Sequence, residues 1–396
     1  MLAFTFPGQG SQRPAMGAAW VGHPSWRLVE EASEVAGRDL ARLLLEADAD
    51  ELRQTRNAQV ATFVAGLVAH DAVTRVGVEP AACAGHSLGE YTALVAAGSL
   101  PFTDAVRVVV ARAEAMQEAA EASAGTIAAL IGLDDADAEA ACRKADGEVW
   151  VANFNAPGQV VVAGSPRAVA AAGEAARGLG AKKVLPVPVE GAFHTPQMAP
   201  AGEPLLAALA KSALHRPRVP VVANVDARRH TDPDEWRQLL SAQLCSPVRW
   251  RQSVQRLHDD GVRTFVELGP GQVLTRIARR SLPGAQALSV SEPHHVDDLL
   301  SALDGEEGGL NGNAVHPEGE HLYIAERLVV SPAAGIFQPA ERWRDTEGQV
   351  VDVGEVLGTV SGTEVRSRFA GVVMGLIAFD GERVTTSQPI AWLRTA

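Results

Sequence analysis

Gly85-His86-Ser87-Leu88-Gly89-Glu90-Tyr91 is the stretch on which the fold of this chain turns. Before it, Pro80-Ala81-Ala82-Cys83-Ala84 is apolar and short enough for a buried strand. After it, Thr92-Ala93-Leu94-Val95-Ala96-Ala97-Gly98 predicts a helix that closes on a glycine. A strand that turns into a helix through Gly-x-Ser-x-Gly lifts the serine clear of the backbone. The hydroxyl then stands at a helix N-terminus, where free N–H groups stabilise a developing oxyanion. The five residues alone also suit a plain Gly/Ser turn; the strand and helix around them favour a nucleophile.

Toward the N-terminus, Leu2 to Phe6 predicts a first strand that enters Pro7-Gly8-Gln9-Gly10-Ser11-Gln12. Two glycines let that backbone approach a ligand, so Gln9 is a candidate second oxyanion donor, with a mere connector as the alternative. Trp26 to Ala36 and Asp50 to Ala72 predict helices, the second carrying Gln59, which either reaches the site or caps a helix contact. Beyond the turn, Phe102 to Glu121 predicts a long helix, with Thr103-Asp104 as its N-terminal cap. Arg112 follows Val108-Val109-Val110 on it. A lone arginine is ordinarily solvated, but a buried one needs an anion, and a substrate carboxylate held bidentately would serve.

Residues 125–190 change pattern. Thr126 to Ile131, Val149 to Asn155, Gln159 to Ala163 and Lys182 to Val189 predict strands, and Asp135 to Ala145 and Pro166 to Leu179 predict helices. The order β-α-β-β-α-β predicts a ferredoxin-like subdomain inserted into a core of 1–124 and 191–305. Where the chain returns to the core, Glu190-Gly191-Ala192-Phe193-His194-Thr195-Pro196 offers His194 as the base that a nucleophilic serine needs. Further strands are predicted at Val219 to Val225 and Thr264 to Leu268, and a helix at Trp236 to Leu244 carries Gln243. Arg249, Arg251, Arg276, Arg279 and Arg280 form the densest basic region, either plain helix surface or a docking site for an acidic partner or coenzyme phosphates.

Composition bounds the function. With 396 residues, two or more domains are expected. A net charge of −13 argues against nonspecific nucleic-acid binding, and an acidic partner must use a local basic patch. Cys83, Cys142 and Cys245 show neither a disulfide framework nor metal-ligand spacing. No apolar run is long enough to span a bilayer, and the N-terminus has no signal pattern, so a cytoplasmic location without membrane association is expected.

Six motifs carry a resemblance. Pro7-Gly8-Gln9-Gly10-Ser11-Gln12, Gly85 to Tyr91, Asn153-Phe154-Asn155-Ala156-Pro157-Gly158-Gln159, Phe193-His194, Ser246-Pro247-Val248-Arg249-Trp250 and Glu267-Leu268-Gly269-Pro270-Gly271 stand in the order seen in malonyl-CoA:acyl carrier protein transacylases. Residues 1–305 resemble that family and the acyltransferase domains of polyketide synthases. The resemblance implies an α/β-hydrolase-like core. It implies that Ser87 is acylated, that His194 is its base, and that a main-chain carbonyl at the position of Gln243 orients the imidazole. It implies oxyanion donors at the N–H groups of Gln9 and Leu88, and Arg112 as partner of the malonyl carboxylate. Phenylalanine before the histidine, here Phe193, goes with malonyl rather than methylmalonyl in the synthase domains. The expected reaction is ping-pong transfer from malonyl-CoA to the pantetheine thiol of an acyl carrier protein, with no metal or bound cofactor. An acyl hydrolase, a transferase for another carboxylated extender and a noncatalytic scaffold are the alternatives, and Arg112 argues against the hydrolase.

A polar, glycine-rich linker is predicted at 306–321, and 322–396 reads as β-rich with an internal repeat. Ser331-Pro332-Ala333-Ala334-Gly335-Ile336-Phe337 pairs with Ser367-Arg368-Phe369-Ala370-Gly371-Val372-Val373, and Gly354-Glu355-Val356-Leu357 with Ser387-Gln388-Pro389-Ile390. This pattern resembles the biotinyl/lipoyl-attachment fold, a flattened all-β barrel. The matching hairpin, near Ser361-Gly362-Thr363-Glu364, has no lysine, and none follows Lys211, so covalent biotin or lipoate is excluded on chemical grounds. A structural or recognition role is expected for this domain.

Overall fold

A computed structural model describes residues 1–187, 191–307, 326–343, 349–367, 369–378, 380–386 and 388–394. The chain divides into two units, Met1–Leu310 and Asn311–Ala396. The first is a mixed α/β unit.

Its central sheet is built on β1 (Leu2–Phe6) and β2 (Ala82–Gly85), which pair in parallel with Phe6 opposite Gly85. Both are buried along their length apart from Leu2, as apolar strands between helical layers must be. Inserted after the helix Phe102–Ala122 come β3 (Thr126–Ile131), β4 (Val149–Ala156), β5 (Gln159–Gly164) and β6 (Lys183–Val187). They form a separate antiparallel sheet in the order β4-β5-β3-β6, with the helices Asp135–Lys144 and Pro166–Gly178 between them in the chain. The chain then supplies β7 (Val221–Val222), β8 (Arg229–His230), β9 (Thr264–Leu268) and β10 (Gln286–Val290), and the central sheet runs β10-β9-β1-β2-β7-β8. Only β8 is antiparallel to its neighbour. The two sheets are stitched together: Phe154 N–H donates to Val248 O and Val248 N–H to Ala152 O, both at 2.9 Å.

Several expectations need correction. The predicted helix Asp50 to Ala72 is two helices, Ala49–Arg53 and Thr55–Arg75, because Gln54 is extended between them. The predicted strand Val219 to Val225 shrinks to β7, since Asn224 turns its polar groups into the site. Thr103-Asp104 does not cap its helix, which begins after Pro101; Asp104 accepts from Ala213 N–H at 3.0 Å instead. Within the basic region, Arg251 is paired with Asp135, while Arg249, Arg279 and Arg280 donate to the main-chain oxygens of Val225, Ala287 and Pro157. Arg276, Arg279 and Arg280 are exposed. The predicted last strand of the insert reaches residues 188–189, outside the described residues, as does the linker beyond Glu307.

The second unit holds β11 (Glu326–Val330), β12 (Gly335–Pro339), β13 (Val350–Val351), β14 (Val356–Val360), β15 (Thr363–Arg366), β16 (Gly371–Leu376), β17 (Arg383–Val384) and β18 (Pro389–Arg394). They form two four-stranded sheets, β11-β18-β16-β13 and β15-β14-β12-β17. Between them lies an apolar core that includes Phe337, Trp343, Leu357 and Leu393. The sequence repeat has a structural counterpart. Ser331 N–H donates to Gln388 O at 2.8 Å and Ser367 N–H to Glu355 O at 2.9 Å. The Glu355 and Gln388 side chains each accept a main-chain N–H three residues back, from Asp352 and Thr385, both at 3.0 Å. At the β14–β15 turn, Ser361 (φ 48°) and Gly362 (φ 87°) both hold positive φ, the conformation of a two-residue hairpin turn whose twist matches its strands.

Around the serine, packing leaves no room for side chains at the glycines. A Cβ on Gly85 would lie 1.9 Å from the Gly89 carbonyl carbon, and one on Gly89 would lie 2.0 Å from Phe6 O. These are backbone contacts that cannot rotate away. Gly89→Ala is expected to cost roughly 3 kcal/mol, the upper end of overpacking, read as a lowered urea midpoint at unchanged slope.

Candidate active site

Ser87 ends the strand-to-helix turn with φ 52°, a left-handed backbone that a non-glycine residue adopts only under constraint. The constraint is visible. Asn224 Oδ1 accepts from Ser87 N–H at 2.7 Å, and Gln243 Nε2 donates to Ser87 O at 2.9 Å. Asn224 is itself anchored, its Nδ2 donating to Gly85 O at 2.7 Å.

His194 sits on the chain returning from the insert, also with positive φ (63°). Its Nε2 lies 2.7 Å from Ser87 Oγ, and its Nδ1 lies 2.9 Å from Gln243 O. A carbonyl can only accept, so Nδ1 carries the proton and Nε2 presents a lone pair to the hydroxyl. Burial pushes the His194 pKa down to about 3; the Gln243 carbonyl opposes this, and Arg112 and His86 add to it. The imidazole is therefore neutral at ordinary pH, the form that accepts a proton.

Arg112 is 1% exposed. Its Nη1 donates to Gln59 Oε1 at 2.5 Å, and its Nη2 donates to Gln243 Oε1 at 2.9 Å and to Ser87 Oγ at 3.2 Å. These acceptors are neutral amides and a hydroxyl. Gln59 thus reaches the site through Arg112. Its Nε2 also meets Met116 Sδ at 3.3 Å.

The Gln9 loop lies against the elbow: a Cβ on Gly8 would come within 2.4 Å of His86 O. Gln9 turns its side chain away to Thr55 Oγ1, 3.2 Å distant. The N–H groups of Gln9 and Leu88 have no acceptor among the described residues. That suits amides held for an oxyanion.

A cavity of about 440 Å³ opens beside His194, lined among others by Trp150, Phe154, Cys245, Pro247 and Arg249. Phe193 is not among its lining residues; a Cβ on Gly191 would meet the Phe193 ring at 2.9 Å, so the ring packs over that glycine. His86 Nε2 donates to Asn155 Oδ1, 2.9 Å away, and its ring packs 5.6 Å from that of Trp250. Three motifs far apart in sequence meet there.

The structure therefore brings Ser87, His194, Arg112 and Gln243 together, with Gln9 and Leu88 at the turn. Phe193 precedes His194 and packs over Gly191. Sequence reasoning missed Asn224 and gave Glu90 no part. Asn224 follows the apolar run Val221-Val222-Ala223, and a fully buried asparagine at a strand end was its one signal.

A serine hydroxyl within hydrogen-bond distance of an imidazole that a main-chain carbonyl orients, on an α/β scaffold, suits acyl transfer through a serine ester. The model of the acyl transferase domain family matches residues 3–297, and the chain belongs to that family. It is 44% identical to the malonyl CoA-acyl carrier protein transacylase of Escherichia coli strain K12 over 299 residues, covering 74% of this chain and 96% of that one. The acyl carrier protein S-malonyltransferase crystal structure from Vibrio cholerae superposes with a TM-score of 0.72 at 40% identity, covering 75% and 99% of the two chains. A malonyl-transacylase solved in complex with a type II polyketide synthase acyl-carrier protein gives a TM-score of 0.73 at 37% identity, covering 76% and 99%.

Two outcomes follow from this geometry. Asn224→Ala leaves Ser87 N–H and Gly85 O buried without their partners. It is expected to cost about 2 kcal/mol in a denaturant titration and to slow acylation of Ser87 at least tenfold. Because His194 is neutral far below its ordinary pKa, kcat/KM for acylation should not fall through about pH 6.5 as the acid side is approached. A pH–rate profile centred on that value would contradict the assignment.

Proposed function

We propose that the protein transfers a malonyl group from malonyl-CoA to the phosphopantetheine thiol of an acyl carrier protein, by a ping-pong route through acyl-Ser87. Ser87 Oγ attacks the thioester carbonyl and His194 Nε2 takes its proton. The tetrahedral oxyanion rests on the N–H groups of Gln9 and Leu88, each donor of this kind typically worth about 3–4 kcal/mol. The C–S bond breaks and His194 returns the proton to the departing coenzyme A thiol. A carrier-protein thiol then enters and the steps run in reverse. Gln243 O keeps the imidazole in the required tautomer.

One observation carries the reading. Arg112 is a buried cation, 3.2 Å from the Ser87 hydroxyl, whose other hydrogen bonds go to neutral amides. A guanidinium in that position asks for an anion, and the free carboxylate of a malonyl group supplies it. The relatives named above are malonyl transferases, and one is held with its carrier protein. An acyl hydrolase has no need of such a cation. Phe193, directly before the histidine, would crowd an α-methyl such as that of methylmalonyl, which favours malonyl.

The core is read as α/β-hydrolase-like and the insert as ferredoxin-like, the latter supported by the strand order β4-β5-β3-β6. The C-terminal unit is read as a biotinyl/lipoyl-like domain. Its support is the repeated hydrogen-bond pattern and the division of eight strands between two sheets. The turn at Ser361-Gly362 offers no lysine, so no biotin or lipoate is held there, and a recognition or structural role remains. No metal or bound cofactor has a step in this mechanism. A cytoplasmic enzyme is the setting that fits; no helix among the described residues is long and apolar enough to cross a membrane.

The test is mass spectrometry of the enzyme and of an acyl carrier protein after incubation with a panel of acyl-CoAs. Malonyl should appear on Ser87 and then on the carrier protein, and Ser87→Ala should abolish both. Arg112→Ala should lower malonyl transfer by 100-fold or more, roughly the worth of a lost charge-assisted pair, and improve the relative rate of acetyl. Unchanged relative rates would overturn the carboxylate role.

A further inference from the structure

Glu90 takes no part in the mechanism above, although it stands three residues from the nucleophile. It is 1% exposed. Its Oε1 accepts from Asn224 N–H at 2.7 Å, and its Oε2 accepts from Gln243 Nε2 at 2.5 Å. The same Gln243 amide presents Oε1 to Arg112 Nη2 at 2.9 Å. An amide has one end that donates and one that accepts. With Nε2 drawn to Glu90, Oε1 must face Arg112. Glu90 shares the task of holding Gln243 that way round with Ser87 O, which accepts from Nε2, and with Arg112 itself, which can only donate.

We propose that Glu90 is a positioning residue for carboxylate recognition: through Gln243 it fixes where the Arg112 guanidinium stands, and its own charge state sets how much of the Arg112 charge is left for the acyl carboxylate. The inference rests on the reading of Arg112 as the partner of a carboxylated acyl group. The charged and titratable groups facing Glu90 come from several elements. Arg112 on the helix Phe102–Ala122 favours its ionised form, and Asp226, beyond β7, opposes it. Tyr91 follows it in the chain with its ring 5.2 Å from the guanidinium carbon, and His194 hangs on the Gln243 carbonyl. Burial is the largest influence and pushes the Glu90 pKa up to about 8.

The sign follows. Below about pH 8 Glu90 holds a proton and the Arg112 charge faces the substrate alone. Above it, Glu90 is an anion on the far side of Gln243, and a second carboxylate binds less well. By linkage, docking the acyl carboxylate raises the affinity of Glu90 for a proton, which is taken from solvent. Acetyl-CoA carries no such carboxylate and should be indifferent to all of this.

The experiment compares malonyl-CoA with acetyl-CoA as donors for the full-length chain and for Glu90→Gln, between pH 6.5 and 9. In the unsubstituted protein, KM for malonyl-CoA should rise above about pH 8, by up to tenfold per pH unit, while KM for acetyl-CoA stays level. Glu90→Gln leaves one acceptor for the two donors that the carboxyl group serves, Asn224 N–H and Gln243 Nε2, and it cannot ionise. KM for malonyl-CoA should be raised roughly tenfold at pH 7, the effect of one misaligned bond to a charged group, and should no longer change through pH 8. A variant that shifts both donors alike, or keeps the rise above pH 8, overturns the inference. Should Glu90→Gln fail to fold, calorimetry of the unsubstituted enzyme near pH 8 in two buffers of different ionisation enthalpy decides. Malonyl loading should take up a fraction of a proton more than acetyl loading, the coenzyme A thiol released in both cancelling. No difference overturns the inference. If the unsubstituted enzyme forms no malonyl-Ser87 at all, the proposed function itself falls, which is a separate readout from either KM profile.

Discussion

Ser87 meets His194 with its backbone held in a left-handed conformation that it would not adopt alone. Such a residue costs on the order of 1–3 kcal/mol, and two side chains from distant parts of the chain offset it. Asn224 takes its N–H and Gln243 takes its C=O. The glycines on either side make the turn sterically possible, and these two amides make it the preferred state. Every other part of the site is arranged around that held residue.

Gln243 carries the most connections. Its main-chain oxygen orients His194, and its side chain reaches Ser87, Arg112 and Glu90. One residue at the C-terminal end of a helix thus ties His194, Ser87 and Arg112 into one hydrogen-bonded unit. The polar cluster is buried, and both Arg112 Nη atoms are met by neutral amides and a hydroxyl rather than by a carboxylate laid on the guanidinium, while Arg112 Nε has no partner. That choice keeps the guanidinium available.

Much of the fold was legible in sequence. The alternation of elements over 125–190 predicted the succession of strands and helices in the insert because turns, short apolar runs and helical stretches are local signals. The repeat in the C-terminal unit was legible for the same reason, and Ser331 and Ser367 make equivalent bonds. Ser87, His194 and Arg112 stood out by motif and by context. Asn224 did not: it was read as part of a strand, since its role depends on a partner 137 residues away. The partners of the basic region were not legible. Five arginines close in sequence suggested a patch, but whether a cation is free depends on which carbonyls and carboxylates the fold brings to it.

By itself the sequence determined the covalent equipment: one serine in a turn that only glycine neighbours permit, one histidine where the chain re-enters the core, one arginine behind three valines, and a C-terminal repeat with no lysine to modify. Those are properties of composition and short-range spacing. Only the tertiary structure decided what these groups do to each other. Hydrogen bonds are directional and act over about 3 Å, whereas their partners here lie up to 156 residues apart. The tautomer of His194, the neutral coordination of Arg112 and the entry of Glu90 into the site all follow from that long-range geometry.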